Sequence, residues 1–248
     1  MIQIRKNNLK KMIFAALFAA LTGAVAWFKI PLPFTPVPIT LQTLLVLMSG
    51  AMLGAYYGAL AMILYLVVGA IGLPVFAGGG SGIGALLGPT GGYLFSYPVA
   101  AFTIGKMIEK RKLNSFLKYF SLVVIIGLVA IVLFDSLLKI GIIPFLSKIS
   151  ENTRLLLIII SIALILFFIS LVLYLKKSKS FSIDTILAMF AGTLIIYVLG
   201  SLQGKFVTGL PWSAIFVGWV LPFIVGDTLK LLAAAFIAKS IDMKKFLK

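Results

Sequence analysis

Met12-Ile-Phe-Ala-Ala-Leu-Phe-Ala-Ala-Leu-Thr-Gly-Ala-Val-Ala-Trp-Phe28 contains no charged residue and follows Arg5, Lys6, Lys10 and Lys11. An apolar run of this length behind a basic flank predicts a helix that enters a bilayer with its cationic end on the cytoplasmic side. A secretory signal has a similar outline, but this run leads into Pro31-Leu-Pro-Phe-Thr-Pro-Val-Pro38 instead of a small-residue cleavage site. The helix is therefore expected to be retained. Of the 248 residues, 62% are hydrophobic and 11% charged, and the mean hydropathy is +1.18. Soluble domains are about 45–50% apolar and about 25% charged. The expected fold class is an all-α integral membrane protein.

Further apolar runs at 39–53, 56–73, 93–107, 119–145, 155–175, 183–202 and 212–238 bring the expected number of spans to about eight. The first of these is short for a crossing, and the last is long enough to hold a lead-in helix or a kink at Pro222. Three regions follow: 1–110 with the first four helices and two outer loops, an inserted helical hairpin at 111–180, and the C-terminal helices at 181–248. The proline cluster Pro31–Pro38 is expected to be a rigid extended loop, because proline locks φ and removes donors. Gly78-Gly-Gly-Ser-Gly-Ile-Gly84 and Leu87-Gly-Pro-Thr-Gly-Gly-Tyr93 form a glycine-dense loop, suited either to cover a bound molecule or to move.

With the N-terminus inside, an alternating eight-span path places sixteen of the 22 cations on cytoplasmic segments. The remaining six are Lys29, Lys139, Lys148, Arg154, Lys205 and Lys230. The positive-inside rule thus predicts a multi-pass plasma-membrane protein with both termini cytoplasmic and the proline and glycine loops outside. It also accounts for the formal charge of +16 without nucleic acid as a partner. No internal repeat or inverted pair is evident, which argues against a two-fold secondary transporter.

The chain has no cysteine or histidine. That removes thiolate and imidazole catalysis and the common zinc, haem and iron–sulfur ligand sets. Nor does it carry a P-loop, a Gly-x-Ser-x-Gly elbow or a His-Glu-x-x-His motif. An enzyme is not expected, including one acting on lipid, and no cofactor or metal is expected either. Any energy for transport must come from another protein.

Ionisable residues inside apolar runs are functional candidates, since a charge at the bilayer centre costs about 2.5–3.5 kcal/mol on insertion scales. Asp227 and Lys230 lie three apart on one helix face in Pro222-Phe-Ile-Val-Gly-Asp-Thr-Leu-Lys230. Two readings stand: a mutually neutralising pair that holds the bundle, or a carboxylate and ammonium facing a polar ligand. Asp135 and Lys139 repeat the pattern four apart without glycine or proline around them, and there the structural reading is preferred. Two rows of small residues run down the first helix, Ala15/Ala19/Gly23 and Ala16/Ala20/Ala24, and Gly50/Gly54/Gly58 repeat the spacing. Such rows allow close helix approach, within the bundle or against another subunit.

Pro31-Leu-Pro-Phe-Thr-Pro-Val-Pro-Ile-Thr-Leu-Gln-Thr43, Gly72-Leu-Pro-Val-Phe-Ala-Gly-Gly-Gly80, the Leu87–Tyr93 segment and Pro222–Lys230 closely resemble BioY, the biotin-specific S-components of energy-coupling factor (ECF) transporters. The resemblance covers 10–109 and 185–238. It implies a six-helix substrate-binding bundle, here with an inserted two-helix hairpin, that captures biotin from outside. It also implies partnership with a transmembrane T-component and two cytosolic ATPases. By the same resemblance Ala15, Ala16, Ala19 and Ala20 match the motif that docks on the T-component. Biotin presents a ureido ring with two N–H donors and a carbonyl, an apolar thioether ring and a valerate carboxylate. The family motif implies Asp227 for the ureido N–H groups and Lys230 for the ureido oxygen or its surroundings. Tyr93, Gly91 and Gly92 fit the lid segment, Thr35 and Gln42 fit polar contacts, and Phe34 or Phe76 fit a cover for the ring.

Two features depart from the family pattern. The 111–180 segment is far longer than the usual connection, and Ala55-Tyr-Tyr57 lacks the arginines common there. The rival reading is a solitary biotin facilitator or secondary carrier that works without ATPases, with Asp227 as a proton site. The topology is checked with cysteines placed at Ser150 and Ser178 in this cysteine-free chain. An impermeant thiol reagent applied from outside is expected to label position 150 and not position 178.

Overall fold

The structure is a computed structural model that describes residues 2–109 and 183–241. Apart from Ile183 these belong to one compact unit, Met1–Arg111 with Asp184–Lys248. The expected hairpin at 111–180 with its two expected spans, the Asp135/Lys139 pair, Ser150 and Ser178 lie outside the described residues.

The described chain is mostly helical. In order it runs α1 (Ile2–Val25), β1 (Lys29–Leu32), β2 (Thr35–Thr40), α2 (Gln42–Ala70), α3 (Gly82–Leu87), α4 (Gly91–Glu109), α5 (Ile183–Thr208), α6 (Trp212–Ile215) and α7 (Ile224–Ser240). A π turn, Phe216–Val220, and a 3-10 turn, Leu221–Phe223, join α6 to α7. Four segments are long and apolar enough to cross a membrane: Asn7–Val25, Gln42–Ala70, Asp184–Thr208 and Trp212–Ser240. Helix α1 starts well before the apolar run, so the basic flank is itself helical.

Helix α2 is not a straight rod. At 1.5 Å per residue a straight helix would hold Gln42 and Tyr65 about 34 Å apart, yet the Gln42 amide donates to the Tyr65 hydroxyl. The reversal occurs at Gly54, whose φ of 82° and ψ of −178° are non-helical. Such a φ suits glycine, which has no Cβ to clash. The two arms, 42–53 and 55–70, pack closely enough that a Cβ on Gly58 would lie 2.9 Å from the Gly50 Cα. Each arm is about 18–24 Å long, short of the roughly 30 Å hydrocarbon core.

Helix α4 seals this hairpin. The Glu109 carboxylate accepts the Ala55 N–H at 2.8 Å, giving a partner to a donor freed by the turn. A Cβ on Gly105 would collide with the Ala55 backbone nitrogen. Because lipid is as apolar as leucine, this kind of close backbone approach supplies much of the packing energy in a membrane bundle. Large apolar side chains such as Leu17, Ile63, Val198 and Phe236 are exposed, as expected of a surface that faces lipid rather than water.

The extended proline loop corrects the all-α expectation locally, since its flanks pair as an antiparallel hairpin. Lys29 pairs with Thr40, Ile30 with Ile39 and Leu32 with Thr35, with an irregularity between Ile30 and Leu32. Prolines are tolerated because each strand of a two-stranded ribbon has one free edge, and a missing N–H on that side breaks no ladder bond. The irregularity of the last span falls at Pro222, within the 3-10 turn.

Gly105→Ala is expected to destabilise the protein by about 1–3 kcal/mol through overpacking. Gly226→Ala, where a Cβ meets nothing within 4 Å, is expected to be neutral or stabilising by up to about 1 kcal/mol through helix propensity. Thermal unfolding of the two variants in the same detergent measures the contrast.

Candidate functional site

At the end of the bundle opposite the Gly54 turn, the β-hairpin and the glycine loop meet the ends of α2, α4 and α7 and, at Ile196, the middle of α5. They line a partly open cavity of about 120 Å³. Val37, Pro38 and Thr40 of β2 contribute one wall, Phe76, Ala77 and Gly80 another, and Asp227 and Lys230 of α7 a third. The glycine loop is shaped by positive φ at Gly78, Gly79 and Gly82 and closed by a bridge between Phe76 and Gly80.

Asp227 is 6% exposed. Its Oδ1 accepts the Thr43 hydroxyl at 3.1 Å and the Lys230 ammonium at 2.8 Å, and its Oδ2 accepts the Tyr197 hydroxyl at 2.8 Å. These donors come from α2, α7 and α5, so one carboxylate ties three helices together. The ion pair is therefore formed, and it also faces the cavity. A carboxylate has about four lone-pair sites and an ammonium three donors. Among the described residues the pair thus leaves one acceptor site on Oδ2 and two donors on Lys230 unused.

The apolar side of the cavity is aromatic. Phe76 meets Tyr65 edge-on at 5.5 Å, and Tyr65 stacks on Tyr97 at 6.2 Å. Gln42, 2% exposed, lines the cavity and holds the Tyr65 hydroxyl, while its Oε1 accepts the Thr40 hydroxyl at 3.3 Å. Tyr93 lines the cavity as well, and its hydroxyl donates to the Trp219 carbonyl inside the π turn. That contact joins the irregular part of the last span to α4.

The structure brings Asp227, Lys230, Tyr93, Gln42 and Phe76 together around the cavity. Gly91 and Gly92 do not line it. A Cβ on the former would collide with the Leu86 carbonyl and one on the latter with the Leu199 carbonyl, so they let the start of α4 approach its neighbours. Thr35 accepts the Val37 N–H at 3.2 Å within its own turn and lies beside Gly218. Phe34, at the hairpin tip, is 62% exposed and away from the cavity. The two alanine rows also separate: Ala15 and Ala19 are buried, while Ala16, Ala20 and Ala24 are exposed.

Sequence reasoning missed Thr43, Tyr197, Tyr97 and Gln203. The Gln203 amide donates to the Leu86 and Gly88 carbonyls at 2.7 and 2.8 Å, pinning the glycine-rich segment to α5. A lone hydroxyl or amide in an aliphatic helix was the available signal for Tyr197 and Gln203, since such groups in hydrocarbon require partners.

A profile of the BioY family matches residues 3–177 and 158–245. The biotin transporter BioY of Thermotoga maritima is 47% identical over 104 residues, which is 42% of this chain and 60% of that one. The probable biotin transporter BioY of Pyrococcus horikoshii is 38% identical over 139 residues, 55% of this chain and 85% of that one. Among solved structures, the chain is similar in fold to the S-component for biotin from an ECF-type ABC transporter. The TM-score is 0.60 at 22% identity, over 94% of this chain and 90% of that chain. With its family profile matched along nearly its whole length and its fold shared with that S-component, the chain belongs to the BioY family.

Proposed function

We propose that this chain is the biotin-binding membrane subunit of an ECF-type ABC transporter, taking up biotin with energy from separate ATPases. The observation that carries the reading is the buried Asp227–Lys230 pair, which keeps one acceptor site and two donors facing a cavity with aromatic walls. A ureido group presents the complementary set. One of its N–H groups donates to Asp227 Oδ2, and its carbonyl accepts from Lys230. Phe76 and Tyr97 supply the apolar surface for the thioether ring. A few placed polar groups in a largely apolar pocket is the common design for small-ligand sites.

Orientation belongs to the same proposal. The cavity faces outward, and the Gly54 turn, Lys106 and the basic start of α1 face the cytosol, in keeping with the positive-inside rule. The exposed row Ala16, Ala20 and Ala24 supports a docking face for the T-component, while Ala15 and Ala19 serve the internal seam with α2. The remaining surface meets membrane lipid.

Asp227→Asn replaces an ionised acceptor with a neutral amide and removes a charge-assisted hydrogen bond worth about 1.5–3 kcal/mol. Biotin affinity is expected to fall about ten- to hundredfold, as read by calorimetry. Unchanged binding would refute the assignment of Asp227 to the ligand, and a lower melting temperature without ligand would mark its structural share.

Ala16→Trp combined with Ala20→Trp places bulk on an exposed face that does not line the cavity. Biotin binding is expected to persist, while uptake and co-purification with ATPase chains fall together. If binding and expression collapse instead, the row is an internal seam. Uptake that survives deletion of every ATPase of this transporter class in the host favours the solitary carrier.

A further inference from the structure

Lys29 opens β1 and pairs in register with Thr40, a residue that lines the cavity. Its side chain folds over the glycine loop, so that its ammonium and last two methylenes occupy the space a Cβ on Gly78 would fill. The loop is strapped to the same stretch of chain, because the Gly78 N–H donates to the Ala26 carbonyl at 2.8 Å. The Trp27 ring lies over Gly79. On either side of Gly78–Gly79, Ala77 and Gly80 face the cavity. Lys29 does not itself line the cavity, but its ammonium lies over Gly78, whose chain neighbour Ala77 does, as does Gly80 two residues on.

The described carboxylates are Glu109, Asp184 and Asp227. Glu109 is engaged at the Gly54 turn, at the other end of the bundle. Helix α5 runs antiparallel to α4, with Gly192 against Ile104 and Leu199 against Gly92, which puts Asp184 at that far end too. Asp227 is held by Lys230, Thr43 and Tyr197. Among the described residues, no carboxylate reaches Lys29. The inner pair is neutral as a whole, so a ligand that carries an acid group brings a charge that the deep part of the cavity does not balance.

We infer that Lys29 is a specificity-determining residue: its ammonium receives the carboxylate of the bound ligand at the rim, so that the site prefers the free acid to a neutral derivative. This rests on the biotin reading of the same cavity, with the ureido ring at Asp227 and Lys230 and the valerate directed toward the β-hairpin. An exposed ammonium suits this task, because its desolvation cost is small and its field reaches an approaching anion through solvent.

The test compares the full-length chain in detergent with its Lys29→Gln and Lys29→Arg variants, each titrated with biotin and with biotinamide at low and high salt. The unmodified chain is expected to bind biotin about three- to tenfold more tightly than the amide at low ionic strength, with the preference shrinking as salt screens it. Lys29→Gln is expected to abolish the preference and keep the amide affinity, which also shows that the variant is folded. Lys29→Arg is expected to retain the preference. If Lys29→Gln still prefers the acid, or if the unmodified chain shows no preference, Lys29 is only an interfacial cation and the inference is overturned. Failure of the unmodified chain to bind either compound would remove the biotin reading itself, and this inference with it.

Discussion

A carboxylate buried in an apolar bundle must be matched by donors, and much of this architecture follows from how Asp227 is matched. Its three partners come from the first arm of α2, from α5 and from α7. Lys230, on α7 beside it, balances the charge, and losing the hydroxyl from α2 or from α5 would leave a buried acceptor without one of its donors, at a cost of about 1–3 kcal/mol. The carboxylate thus fixes the relative placement of helices distant in sequence. Two of the residues that hold it, Thr43 and Lys230, also line the cavity, so under the proposed function stability and ligand recognition share one network.

Around that network, close approach of backbones takes the place that burial of large side chains has in soluble proteins. Gly50 and Gly58 bring the arms of α2 together, Gly105 lets α4 sit on the Gly54 turn, and Gly200 makes room for the Tyr93 ring. Gly91 and Gly92 serve the same end at the start of α4. Contacts of this kind leave little slack, which suits a bundle that must hold a small set of hydrogen-bonding groups in register.

The cover over the cavity has a different character. A two-stranded ribbon with four prolines in and around it and a loop with several positive-φ glycines cannot build a core of their own. They gain order by leaning on each other through the Gly78–Ala26 bond and the Trp27 and Lys29 side chains. Gln203 then fastens the following segment to α5. The cover is therefore held by a few discrete contacts, whereas the floor around Asp227 is held by packed helices.

Rules that act over a few residues made part of this legible in the sequence. Apolar runs and basic flanks identified a membrane bundle, Gly54 lay within the joint expected between two runs, Pro222 marked the irregularity of the last span, and the three-residue spacing put Asp227 and Lys230 on one face. The tertiary structure alone decided which groups meet across the bundle. Thr43 reaches Asp227 from 184 residues away and Gln203 reaches Leu86 from 117, separations at which no periodicity carries information. It also separated the buried alanine row from the exposed one, paired the proline segment into a ribbon, and turned Gly91 and Gly92 from lid candidates into packing positions. In each of these cases the deciding quantity was what stood opposite the residue, which depends on long-range packing and not on local propensity.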